Sequence, residues 1–134
     1  MTIGRIHHLG YLVKNLEKST DIFKTLGYKP EGDYYWDPIR LCKICFLNKD
    51  EEKIELIEPE IASDIYPLLS VYNNMIYHVC YVVDNLDQTV EYLKGKGFLL
   101  FKDKQAAPAI SEKATVVFLK HIRIGIIELV QEDT

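Results

Sequence analysis

The sequence predicts an α+β fold built from two βαβββ modules with curved, mainly antiparallel sheets, and three observations carry that prediction. First, Ile6-His7-His8-Leu9-Gly10-Tyr11-Leu12-Val13-Lys14-Asn15-Leu16-Glu17 returns as Ile76-Tyr77-His78-Val79-Cys80-Tyr81-Val82-Val83-Asp84-Asn85-Leu86-Asp87, and segment 6–28 aligns with 76–98 without a gap. Second, Ile54-Glu55-Leu56-Ile57-Glu58 returns as Ile127-Glu128-Leu129-Val130-Gln131. Third, each copy passes from a period of two to a helical period and back to a period of two. Two copies of one supersecondary unit are the simplest account of such register.

In the first copy, 5–13 alternates as a strand does. Asn15 is a suitable N-cap, Leu16, Phe23 and Leu26 share a helical face with Ile22 beside it, and Gly27 is placed to end the helix. Segments 28–36, 39–48 and 53–58 then read as an antiparallel meander, with turns at Asp37-Pro38 and Asn48-Lys49-Asp50-Glu51. The second copy repeats the plan with Asn85, Leu86, Leu93 and Gly97, adds Gln88 as a capping-box partner, and continues with strands over 98–104, 114–120 and 123–131. Between them, Ile61, Ile65, Leu68, Leu69 and Tyr72 suggest a short linker helix. The expected organisation is therefore a first module over 1–60, a linker over 61–74 and a second module over 75–134, together one domain.

The chain has 134 residues, is 48% hydrophobic and 27% charged, and carries a net charge of −4. Without a basic stripe and interleaved aromatics, nucleic acid is not an expected partner. No apolar run is long enough to span a bilayer, so no membrane partner is expected. Met1-Thr2-Ile3-Gly4-Arg5-Ile6 has no signal-peptide anatomy, and the expected location is the cytoplasm. Three cysteines are an odd number and give no disulfide framework. Cys42 and Cys45 resemble a C-x-x-C pair, but on a strand residues three apart face opposite ways, which argues against a shared metal or redox couple.

The candidate site lies in the repeated positions. His8 recurs as His78 and Glu55 as Glu128, whereas His7 has no counterpart at Tyr77. Each glutamate sits in an apolar strand, where an ionised carboxylate is costly to bury unless it is paired or bound to a cation. Duplicated units that close around a pseudo-twofold axis would bring His8, Glu55, His78 and Glu128 together as ligands of one divalent metal. Two imidazoles and two carboxylates suit nickel, zinc, cobalt, manganese or iron(II), and the lack of thiolates argues against a closed structural zinc site. Such an ion keeps positions for substrate oxygens, and a carboxylate beside it can move a proton on the carbon next to a carbonyl. No Ser-His-Asp, P-loop or dinucleotide fingerprint competes.

The units Ile6-His7-His8-Leu9-Gly10 with Ile54-Glu55-Leu56, and Tyr77-His78-Val79 with Ile127-Glu128-Leu129, resemble the vicinal oxygen chelate superfamily. That superfamily includes glyoxalase I, methylmalonyl-CoA epimerase, extradiol dioxygenases and the fosfomycin and bleomycin resistance proteins. The resemblance spans nearly the whole chain. It implies the glyoxalase/bleomycin-resistance/dioxygenase fold, with metal ligands His8, Glu55, His78 and Glu128 and with Glu128 as proton-transfer base. The full quartet is similar to bacterial glyoxalase I, which implies a lactoylglutathione-lyase-like enzyme that abstracts a proton next to a carbonyl and stabilises an enediolate. Superfamily dioxygenases and fosfomycin enzymes use three protein ligands, so Glu55 argues against them.

Methylmalonyl-CoA epimerase is the alternative, because Val117-Phe118-Leu119 with Ile126-Ile127-Glu128-Leu129 is similar to its C-terminal segment. Where such epimerases place a second carboxylate, this chain is expected to have Lys43. A non-catalytic protein that holds a drug or metabolite is a further alternative. The implied substrates are a thiohemiacetal or an acyl-CoA thioester, with Lys43, Arg40 and Arg123 as candidate contacts to an anionic substrate. A homodimer is expected from the exposed edges of open sheets. Tyr34, Tyr35 and Trp36 are expected to pack the sheet or line a pocket mouth, Cys80 to share the His78 face, and His121 to lie in an exposed turn.

Overall fold

A computed structural model describes residues 2–132, and its fold is mixed α+β. The strands are β1 (Ile3–Leu12), β2 (Lys29–Pro30), β3 (Tyr35–Asp37), β4 (Cys42–Lys49), β5 (Glu52–Pro59), β6 (Met75–Val83), β7 (Leu99–Ala106), β8 (Thr115–His121) and β9 (Gly125–Gln131). The helices are α1 (Leu16–Thr25) and α2 (Leu86–Lys94), and a short 3₁₀ segment covers Tyr66–Ser70. Contacts group the chain into one compact unit of residues 8–77 and another of residues 1–7 with 78–134. The modules of the repeat are thus not the units of contact. The chain changes unit inside β1 and again inside β6. At the first of these places Thr2 belongs with the second unit, where its carbonyl accepts from the Asp84 N–H at 3.3 Å.

In the unit of residues 8–77 the strands run in the order β2-β4-β5-β1, with β3 also on β4. β1 is parallel to β5 and the other pairs are antiparallel. Asn15 caps α1 by accepting from the Lys18 N–H at 2.9 Å, and the Glu58 carboxylate takes the Leu16 N–H at 2.7 Å. Together they satisfy two of the donors a helix leaves open at its start. Leu16 and Phe23 of α1 pack on one sheet face, formed by Leu9, Tyr11, Cys45, Leu47, Ile54 and Leu56. Because strand side chains alternate, His8, Gly10 and Leu12 must lie on the other face.

The unit of residues 1–7 and 78–134 has the strand order β6-β9-β8-β7, again with a single parallel pair, β6 with β9. Asn85 accepts from the Gln88 N–H at 3.0 Å, and the Gln131 side chain takes the Leu86 N–H at 2.8 Å. Gln88 therefore meets the cap through its backbone. Leu86, Val90 and Leu93 cover Val83, Val117, Leu119, Ile127 and Leu129. Gly97, at φ +94, turns the chain out of α2, and a Cβ there would come within 3.1 Å of the His121 Nε2.

Two expected strands are revised. Residues 28–36 are not one strand: β2 ends at Pro30, Gly32 takes φ +151, and pairing resumes only at Tyr35. The strand expected from 39 begins at Cys42, because Asp37 draws residues 38–41 into a turn that leaves Leu41 at φ 56. The linker holds a 3₁₀ turn with Pro67 near its start.

Candidate metal centre

In each unit one histidine and one glutamate meet on the sheet face turned away from the helix. His8 Nε2 lies 3.2 Å from Glu55 Oε1, and His78 Nε2 lies 3.0 Å from Glu128 Oε1. All four side chains are buried: His8 is 1% exposed, Glu55 7%, His78 2% and Glu128 4%. Strand register produces both meetings. Gly10 pairs with Glu55 and Cys80 with Glu128, so each histidine, two residues earlier on the same face, can reach the carboxylate.

A phenylalanine completes each pair. Phe46 stands directly across β4–β5 from Glu55, and its ring meets His8 edge-on at 5.4 Å. Phe118 stands across β8–β9 from Glu128 and meets His78 edge-on at 5.2 Å. These rings fix the imidazole planes and keep water from their flanks. Sequence reasoning did not find them. The signal was present, since each phenylalanine precedes its glutamate across a hairpin, but the two hairpins differ in length and hide the match.

Taking two carboxylates out of water costs several kcal/mol each unless positive charge answers them. Imidazole nitrogen and carboxylate oxygen are the donors that borderline divalent cations take, so each pair fits half of such a site. Cys42 and Cys45 do not offer thiolates. Burial pushes the Cys42 thiol up to about 11, against the smaller opposing effect of its Ser63 contact, and burial also raises Cys45. Cys45 packs under α1 and Cys42 lies on the opposite face of β4.

The other expected residues are placed elsewhere. Lys43 is on the helix face of β4, its ammonium 3.8 Å from Glu17 of α1 and 5.0 Å from the centre of the Tyr34 ring. Alternation along β4 turns it away from Phe46 and the Glu55 face. Arg40 lies in the β3–β4 turn, its Nη1 donating to Asp37 Oδ2 at 2.6 Å. Asp37 is wholly buried and also accepts the backbone N–H groups of Ile39 and Arg40 at 2.9 and 3.1 Å. Asp37→Ala should cost about 3 kcal/mol, because it removes one partner of a buried ion pair together with the acceptor of two backbone N–H groups. Urea unfolding should show a lower midpoint with an unchanged slope.

Arg123 occupies the β8–β9 turn, and its backbone N–H donates to His121 Nδ1 at 3.0 Å. His121 itself ends β8, half-buried against Phe98 at 4.9 Å between rings. Tyr34, Tyr35 and Trp36 are all more than a third exposed. Cys80 is fully buried.

The chain belongs to the Glyoxalase/Bleomycin resistance protein/Dioxygenase superfamily, whose family model matches residues 7–118. It is similar to the mitochondrial methylmalonyl-CoA epimerase of Bos taurus, at 28% identity over 105 residues that make up 76% of this chain and 59% of that protein. The chain thus spans about 59% of the length of that curated relative. A hypothetical protein from Bacillus halodurans C-125 has a similar fold, with a TM-score of 0.83 and 22% identity over 97% of this chain and 95% of that one. A variant of the Streptomyces coelicolor methylmalonyl-CoA epimerase, solved in complex with 2-nitronate-propionyl-CoA, matches with a TM-score of 0.82 and 17% identity over 99% of this chain and 100% of that one. At these identities the two solved structures speak to fold.

Proposed function

We propose that the chain is a metal-dependent isomerase that moves a proton on the carbon next to the carbonyl of an acyl-CoA thioester. One observation carries the reading: two buried histidine–glutamate pairs, each backed by a phenylalanine, at repeat-related positions of a superfamily whose similar relatives include methylmalonyl-CoA epimerases. His8, Glu55, His78 and Glu128 would together hold one divalent ion per chain. When bound, such an ion supplies the positive charge against which negative charge developing on a carbonyl oxygen is stabilised.

Glu128 acts as the base in this reading. Its Oε1 faces His78, and its burial keeps competing water away from the proton it accepts. Phe46 and Phe118 hold the two imidazoles in orientation. Glu55, its partner in the repeat, stands in the same relation to His8 and supports the charge of the site.

A glyoxalase-type lyase is the second reading, and the placement of Lys43 and Asp37 favours it. Inversion at carbon calls for an acid and a base on opposite sides, but Lys43 faces α1 and Asp37 is engaged by Arg40. A lyase that shuttles a proton between adjacent carbons needs a single carboxylate. Incubation in deuterated water distinguishes the readings. The epimerase reading expects deuterium at the carbon next to the thioester carbonyl of methylmalonyl-CoA, together with loss of optical purity. Conversion of a glutathione hemithioacetal without exchange in the CoA ester would select the lyase, and neither reaction with nickel, cobalt or zinc would remove both.

A further inference from the structure

The duplication also exposes a difference between the two units. The β4–β5 turn of the first repeat reads Lys49-Asp50-Glu51-Glu52, three acids without a large apolar side chain. The matching β8–β9 turn reads His121-Ile122-Arg123-Ile124-Gly125, and there Ile122 is 98% exposed and Ile124 65%. Hairpin turns are normally polar, so two isoleucines standing clear of the protein on either side of an arginine call for an explanation.

The surroundings of that turn share its character. The segment leaving α2 sits against it: Phe98 packs at a tilt on His121, and Leu99 pairs with Lys120. Leu99 is 63% exposed and Tyr92 48%. Lys96 lies over the Tyr92 ring at 5.6 Å, and Lys120 lies over Phe101 at 5.5 Å. The acid on this stretch of α2, Glu91, is answered by Lys94 at 3.8 Å. Lys96, Lys120 and Arg123 therefore give this end a positive charge, although the chain as a whole is negative.

We propose that this end, with Ile122 and Ile124 leading and Lys96, Lys120 and Arg123 around them, docks on an anionic lipid surface. A stable interface between folded proteins needs roughly 800 Å² of matching surface from each partner, and a projecting turn presents little of that kind. A bilayer interface deforms around a projecting apolar tip while its headgroups answer the cations beside it. The association is peripheral, since no helix among the described residues is long and apolar enough to cross a membrane. It departs from the expectation of no membrane partner, which considered only segments that span. It is also independent of the metal reading, because it uses none of the four ligands.

The test is cosedimentation of the full chain with phosphatidylcholine vesicles, with and without phosphatidylglycerol as roughly a third of the lipid. Binding should rise at least about fivefold on the anionic vesicles at low salt and fall away at high salt. Ile122→Ser combined with Ile124→Ser should reduce it severalfold with an unchanged circular dichroism spectrum. Should that variant misfold, Lys96→Gln with Lys120→Gln is the replacement and carries the same expectation. Equal sedimentation with both lipids, or binding that survives the substitutions, would overturn the proposal. So would a dimer lost in the isoleucine variant without vesicle binding by the parent, because the surface would then belong to a second copy.

Discussion

Glu128→Gln is expected to lower the rate of deuterium incorporation next to the substrate carbonyl by about 10³-fold while about one divalent ion per chain remains bound. The amide keeps the shape of the side chain and one oxygen able to face a cation, but it cannot accept the proton. Its apolar neighbours, Ile127 and Leu129, and its strand partner, Phe118, are unaffected, so the fold is not at risk. Glu55→Gln is the internal control. Glu55 has the same relation to His8 that Glu128 has to His78, 3.2 Å against 3.0 Å, so loss of charge alone should act alike at both positions. At saturating metal Glu55→Gln should retain turnover within roughly tenfold of the parent. Equal losses in the two variants would mean that the effect is one of charge, and Glu128 would lose its role as base. Retention in Glu128→Gln with loss in Glu55→Gln would transfer the role to the first unit.

Both histidine–glutamate pairs were legible in the sequence because duplication wrote them twice. A single histidine at position 8 or a single glutamate at position 55 is ordinary strand composition, and only recurrence in register singled them out. The helices were legible for a related reason: Asn15 and Asn85 cap in the same backbone conformation, near φ −143 and −141. What alternation alone could not decide was the start of β4. Moving a strand's first residue by one or two leaves its hydrophobic pattern intact, and the true start depends on Asp37, whose carboxylate gathers Ile39 and Arg40 into a turn. Lys43 illustrates the cost of that uncertainty. Its face follows from the parity it shares with Cys45 and Leu47, and those two pack under α1.

Residues that act across strands were harder to read. Glu58 and Gln131 each complete a helix cap from the end of a distant strand, at 2.7 and 2.8 Å. They occupy equivalent positions of the second repeated motif, but glutamate and glutamine look like a lost identity unless their shared carbonyl-type oxygen is considered. Phe46 and Phe118 are similar in kind. Their relation to the histidines depends on pairing across hairpins, and no linear period records it.

Removal of divalent metal is expected to lower the thermal midpoint by roughly 10 °C. A ligand present at about a hundred times its dissociation constant adds about 2.7 kcal/mol to stability, and for a domain of this size each kcal/mol moves the midpoint by about 3–4 °C. Imidazole binds a cation only when unprotonated, so acid opposes the effect. The decisive comparison is between His8→Ala and His78→Ala. If all four donors share one ion, the parent holds one ion per chain and each single substitution leaves three ligands; an affinity loss of about a hundredfold then removes most of the metal-dependent shift at the same metal concentration. If the pairs instead bind separately, the parent holds two ions per chain and each variant keeps one, with about half of the shift. Calorimetry with added nickel or zinc, read beside metal content, separates these outcomes. Retention of half of the shift in both variants would rule out the shared centre from which the proposed proton chemistry follows.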